Sequence, residues 1–367
     1  MTELSVQRTA KQYERLHNVL FLVEALYVAL LLVLLLTSGV SRRLARLAEN
    51  PWLATTGYAV VVVVGMKLAF WPLAWFSGYY IEHHYRLSTQ RLASWVKDEV
   101  KSLSLAVLLG VVILNGIYFL LRVLEEWWWV GTGAFLVLFG VALSALFPVL
   151  ILPMFYRMQP LENEELTRRL CELARRAGAN VLGVYRVAMS EKTRKANAAL
   201  AGVGKTKRIL LGDTLIHQFE HDEIEVVLAH ELAHHRHGDL WWIIAVNALT
   251  TFVGLWVADR LLRWLLPRFG FEHVSDLAAF PLLALCLYGF GLVVMPLNNA
   301  FSRWRERLAD AAALELTRNP AGFIRAMRRL AEQNLADPLP HPAIEFLLHD
   351  HPSLSRRIQM AEQWQPT

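Results

Sequence analysis

LSLAVLLGVVILNGIYFLL (residues 103–121) and WWWVGTGAFLVLFGVALSALFPVLILPMFY (residues 127–156) contain no charged side chain, and the only charges between them are Arg122, Glu125 and Glu126. A helix crossing a hydrocarbon layer needs about 20 apolar residues, more than a buried helix of a soluble domain uses. The pair therefore reads as a helical hairpin through a membrane. Working outward, residues 19–37 are apolar apart from Glu24, and 55–79 are apolar apart from Lys67. Residues 240–258 and 277–301 are again uncharged. Hydropathy thus gives six spans in a chain that is 55% hydrophobic and only 19% charged.

The first apolar run is too long for the core of a cleaved signal peptide and no small-residue cleavage site follows it, so it reads as retained. Cys171 and Cys286 lie in a polar helix and in a span, which argues against a disulfide framework. The 37 Lys and Arg residues are scattered through loops and one compact block. That pattern fits membrane orientation, not nucleic-acid binding. Most of them fall on the side shared by the N-terminus, the 83–101 connection, the 157–239 block and the tail. The expectation is a multi-pass protein of the bacterial plasma membrane with that side cytoplasmic.

Four blocks emerge: a four-span bundle (1–156), a polar insert (157–239), a two-span hairpin (240–301) and a polar C-terminal segment (302–367). Within the insert, residues 161–177 carry apolar side chains at helical spacing and stop at Gly178. Short β-prone runs at 184–189, 197–201 and 208–211 predict a small antiparallel sheet, with a hairpin turn over 202–206. Residues 199–206 end in Gly-Lys-Thr, but Ala199 occupies the first glycine position of a phosphate loop, so nucleotide binding is set aside. After Gly212-Asp213 one helix is expected to run to about Gly238, with HELAH (230–234) near its end.

On a helix His230 and His234 share one face and can direct two imidazoles at one Zn2+ ion. Catalytic zinc takes three protein ligands, and an adjacent carboxylate handles the proton of the attacking water, which gives Glu231 the role of base. Just past the last span, Glu306 and Asp310 share a face of a second helix on the same membrane side. Glu306 completes a His-His-Glu set of the thermolysin-like (gluzincin) kind, and Asp310 would orient a ligand histidine through its other nitrogen. His235 points away from this seam, His237 lies a turn beyond it, and His83, His84 and His217 carry no signal.

Several separated segments together resemble one family, the type I CAAX prenyl endopeptidases, multi-spanning zinc proteases related to bacterial HtpX-like membrane proteases. The carriers are YRLSTQ (85–90), WVKDEVK (95–101), NAA (197–199) with Gly202, KRILLGDTL (207–215), HELAH, SRWRERLAD (302–310) and HPSLSRRI (351–358). The resemblance implies a helical membrane barrel enclosing a water-filled chamber, with one zinc ion per chain at its rim. It also implies a peptide or protein substrate, lipidated or otherwise membrane-associated, lying as an added strand along Asn197, Ala198 and Ala199. His351 resembles the family's oxyanion donor and Arg357 the arginine that supports it. Ala233 stands where the eukaryotic pattern has glycine, Asp239 where it has histidine, and six spans stand where those enzymes have seven. These departures suggest a prokaryotic member. The competing expectations are an HtpX-type quality-control protease and a signalling protease of the antirepressor type.

Overall fold

The structure, a computed structural model, describes residues 3–202 and 207–366. Six helices are long and apolar enough to cross a membrane: Val6–Thr37, Pro51–His84, Leu92–Leu124, Trp128–Phe155, Asp239–Phe269 and Leu277–Thr317. Number and order agree with the sequence. The first four contain α1 (Glu3–Thr37), α2 (Pro51–Trp75), α3 (Leu92–Leu124) and α4 (Trp128–Leu146). Pro148 removes a backbone donor, and α4 passes there through a π-helical turn, Phe147–Ile151.

The insert opens with β1 (Met158–Pro160), then α5 (Glu164–Arg176), β2 (Val184–Val187), β3 (Ala198–Ala201) and β4 (Arg208–Gly212). The sheet order is β1-β2-β4-β3. The expected antiparallel sheet is in fact mixed: β2 runs parallel to β4, while β1–β2 and β3–β4 are antiparallel. The loop of residues 188–197 causes this. It carries β3 past the neighbouring position, so that β4 turns back between β2 and β3 and leaves β3 on the edge. The predicted turn over 202–206 lies, beyond Gly202, outside the described residues.

Two helices stand where one was expected before HELAH. A short helix, Asp213–Gln218, ends at Phe219 in extended backbone, and α6 (His221–Arg236) starts afresh. Glu220 caps it in a reciprocal box, its backbone N–H donating to Glu223 at 2.9 Å. Such a box satisfies two orphan donors and so begins a helix at that point.

After α6, α7 (Asp239–Leu265) and α8 (Phe280–Thr317) form the last two spans, and α9 (Pro320–Asn334) and α10 (Leu354–Gln363) close the chain. The sequence boundary at residues 301 and 302 falls inside α8, a single helix that contains both the span and the SRWRERLAD segment. Between residues 297 and 317 there is no glycine or proline to end it.

Packing differs sharply along the molecule. Leu166, Leu170, Ile209, Leu211, Ile224, Leu228, Phe323 and Met327 belong to one dense core that joins α5, the sheet, α6 and α9. In the most apolar stretch of each span, only 0% to 33% of residues are buried. The spans converge at the end far from the insert, where Tyr58, Leu114, Tyr118, Trp128, Leu255, Leu262 and Leu282 pack together. Trp128 Nε1 donates to buried Asp259 there, at 2.7 Å. At the near end, Lys195 of the insert pairs with Glu82 at 3.0 Å, and Glu82 also accepts from the Tyr13 hydroxyl of α1. The chain start, the 84–91 connection, the insert and the tail thus share one side.

Candidate active site

Helix α6 is an interior helix: Ile224, Leu228, Ala229 and Leu232 are fully buried beneath the sheet. That burial fixes its roll, and helical spacing then turns His230 and His234 together toward α8. Their Nε2 atoms lie 3.1 Å apart. Glu306 of α8 meets both, with its two oxygens 3.2 Å from His230 Nε2 and from His234 Nε2.

The other ring nitrogens are already taken. His230 Nδ1 lies 2.8 Å from Asp310 Oδ1, and His234 Nδ1 lies 2.6 Å from Asp239 Oδ2. Each carboxylate is held in turn by an arginine. Arg357 grips Asp310 with Nε and Nη2 at 2.8 and 2.6 Å, and Arg305 Nη2 donates to Asp239 Oδ1. A carboxylate on Nδ1 places the proton there and leaves Nε2 with a lone pair.

Two imidazole lone pairs and a carboxylate therefore face one point with no donor among them, all within 4.8 Å of one another. Glu306 Oε2 is buried without a hydrogen-bond partner. Such a cluster of acceptors is costly unless a cation sits between them, and two nitrogens with one oxygen are the donor set of a catalytic zinc-type site. The residues fit a metal ion.

Glu231 adjoins this point, and burial pushes its carboxyl up from the ordinary glutamate range. His351, in the tail, also reaches this point: Nε2 lies 3.4 Å from Glu306 Oε2 and Nδ1 2.8 Å from Asp350. The Asp350 carboxylate holds the His351 imidazole above its usual pKa. Two cavities flank the centre. One, of about 200 Å³, is lined by Asn197, Ala198, His230, Glu231, His351 and Arg357. The other, of about 250 Å³, lies toward the membrane against His234, Asn247, Asn298, Asn299, Ser302 and Glu306.

The structure brings the ten residues singled out from the sequence into one place, with one change of partner. Arg357 bonds to Asp310, behind His230, with a longer contact to His230 Nδ1 itself at 3.4 Å, and not to His351. Ala198 and Ala199 pair with Leu211 and Leu210 on one side of β3, and among the described residues no strand pairs with its other edge. His235 bonds to Lys207, away from the centre. Sequence reasoning missed Asp239, Arg305 and Asn334. Asn334 accepts from the Ala196 N–H at 3.0 Å and so fixes the entry to β3. Asp239 had one available signal, a carboxylate just after Gly238, whose φ of 64° sharply turns the chain.

Comparison with known proteins agrees. Residues 160–365 match peptidase family M48, and residues 2–157 match the family described as CAAX prenyl protease N-terminal, five membrane helices. Four of the six spans lie in that second region. An uncharacterized metalloprotease of Bacillus subtilis, YhfN, is 34% identical over 99% of this chain and 86% of its own length. A CAAX prenyl protease 1 homolog of Arabidopsis thaliana is 28% identical over 88% of this chain and 77% of its own. The crystal structure of S. mikatae Ste24p shares the fold, with a TM-score of 0.84 at 22% identity, covering 98% of this chain and 89% of that one. Two inward-facing histidines, a bridging glutamate and six apolar helices thus have a common explanation: the chain belongs to peptidase family M48, as a multi-pass membrane metalloendopeptidase resembling the CAAX prenyl proteases.

Proposed function

We propose that the metal is zinc, one ion per chain, held by His230, His234 and Glu306, and that the enzyme cuts peptides presented at the membrane surface. The observation that carries this is the meeting of three acceptors at one point, each histidine backed by its own carboxylate. A zinc ion there supplies Lewis acidity, which polarises a carbonyl and makes water acidic enough to act as nucleophile near neutral pH.

The protein's own groups do the rest. The Glu231 carboxylate takes the proton of the attacking water and returns it to the leaving nitrogen. His351 Nε2 donates to the oxygen that becomes negative in the tetrahedral intermediate, where a fixed donor counts for most. Asp310, with Arg357 behind it, keeps His230 in the ligating tautomer. The substrate backbone pairs with the free edge of β3 at Asn197, Ala198 and Ala199, a recognition mode that reads main chain and leaves side chains to pockets.

The convergence of the spans at the far end and the asparagine-lined cavity beneath the site support an enclosed aqueous chamber. The crowding of basic residues on the catalytic side and the likeness to a Bacillus subtilis protein support a bacterial plasma membrane with this face in the cytoplasm. The substrate is then a protein held at that face by a lipid or a helix of its own.

Purified enzyme should contain one zinc per chain and cleave peptides, and Glu231→Gln should keep the metal while losing turnover. Wild-type cleavage by that variant, or metal other than zinc in protein purified without added metal, would overturn the reading. Comparing membrane proteomes of cells with wild type and Glu231→Gln identifies the substrates.

A further inference from the structure

His351 is carried by a segment with little regular structure of its own. Helix α9 ends at Asn334 with Leu335 in the left-handed region, φ 50°. From there to residue 353 the chain includes Pro338, Pro340, Pro342 and Pro352, none of which offers an N–H. Apart from the short helix Pro342–Leu348, the strap is held by a few ties of its own, the Ser353 N–H to Glu345 Oε1 and the Ser355 N–H to the Pro338 carbonyl, each at 3.1 Å, and by side chains from elsewhere. Arg303 of α8 donates to the carbonyls of Glu345 and His349, and Asn299 donates to that of Leu347 at 2.8 Å.

One further anchor comes from the far end of the sequence. Glu14, on membrane helix α1, accepts the Asp337 backbone N–H with one oxygen at 2.9 Å. Its other oxygen lies 3.3 Å from His349 Nε2. A single carboxylate thus ties together both ends of the strap, Asp337 where it leaves α9 and His349 two residues before His351. The His351 side chain is 54% exposed, and among the described residues its one hydrogen bond is to its neighbour Asp350. Its aim at the metal centre is therefore set by the backbone beneath it.

We propose that Glu14 is a positioning residue for catalysis, holding His351 over the metal centre by clamping the two ends of the 337–349 strap. This rests on the reading of His351 as oxyanion donor. It links the first membrane helix to the chemistry, although Glu14 is remote in sequence from every ligand.

The test is a double-mutant cycle with Glu14→Ala, Glu14→Gln, His351→Ala and the Glu14→Ala/His351→Ala pair. It is read by kcat, KM, metal content and affinity for a phosphinic peptide that mimics the tetrahedral intermediate. Misplacing a reacting group by about 1 Å costs on the order of 100-fold, so Glu14→Ala should lose roughly 10- to 100-fold in kcat and in phosphinic-peptide affinity. KM and metal content should stay near wild type. Glu14→Gln should recover part of the loss, because its amide oxygen still accepts from Asp337. In the His351→Ala background, Glu14→Ala should cost nothing more.

Equal loss in both backgrounds, or loss through KM or metal content, overturns the proposal. So does wild-type kcat in Glu14→Ala beside a damaged His351→Ala, an outcome that leaves the oxyanion reading intact. Wild-type kcat in His351→Ala instead overturns that reading and the proposal with it. Should Glu14→Ala fail to fold, the same cycle run with His349→Gln, which removes one of the two ties, decides between these outcomes.

Discussion

His230 and His234 are supported by the same chemistry drawn from opposite sides of the molecule. Behind His230 stand Asp310, completely buried, and Arg357 from the last helix of the tail, bound through two nitrogens. Behind His234 stand Asp239, the first residue of a membrane span, and Arg305, next to Glu306 on the other. In the first arm Asp310 is fully enclosed, and His230 and Arg357 border the cavity at Asn197. The second borders the cavity that opens toward the spans, and the His234 side chain is 26% exposed against 10% for His230. On the proposed ligand set, metal binding depends on both the soluble fold and the membrane-spanning helices. The drier arm should matter more, since charge left unpaired away from water is the more expensive loss.

The largest effect falls outside both arms. Glu231→Gln should lower kcat by about 10³-fold, within the usual range for removing a general base, while a metal titration shows unchanged affinity. Lost metal in that variant would make Glu231 part of the ligand set. Next, Asp310→Asn strands the buried Arg357 charge. It should weaken metal binding by roughly 100-fold and destabilise the apo-protein by about 3 kcal/mol, measured by chelator competition and thermal unfolding in detergent. Asp239→Asn should cost nearer 10-fold in affinity. Equal losses would erase the distinction between the two arms.

A gentler comparison uses the arginines. Arg357→Lys gives up a bidentate grip and should slow turnover about tenfold, whereas Arg305→Lys exchanges a single donor and should change it no more than a few-fold. The reverse order would show that the membrane side carries the greater load. The smallest effect is expected at the strand. Asn334→Ala removes the hydrogen bond to Ala196 and, at about 1 kcal/mol, should raise KM a few-fold without touching kcat. A fall in kcat alone would break the assignment of β3 as the substrate edge.

The parts of the site legible in the sequence are those that follow from one helix at a time. His230 and His234 four apart, and Glu306 and Asp310 four apart, are visible because helical periodicity puts each pair on a face. Six spans are visible because apolar length has few other meanings. Asp239 was hidden because its reach to His234 depends on a left-handed turn at Gly238, and Arg305 because its partner is set by how α7 and α8 cross. The parallel β2–β4 pairing depends on where a ten-residue loop deposits β3, which strand propensity does not encode. His351 and Arg357 entered through family resemblance alone, and the tie from Glu14 to the strap spans more than three hundred residues.

That α8 continues unbroken from Phe280 to Thr317 gives the molecule a gauge. Glu306 follows the last residue of the uncharged run, Phe301, by five positions on a rigid helix, a rise of at most about 7–8 Å. An extended peptide covers that height in roughly two or three residues. On the proposed reading, distance from a tether in the bilayer is thereby converted into a choice of bond, measured off along one helix that would be both membrane anchor and metal ligand.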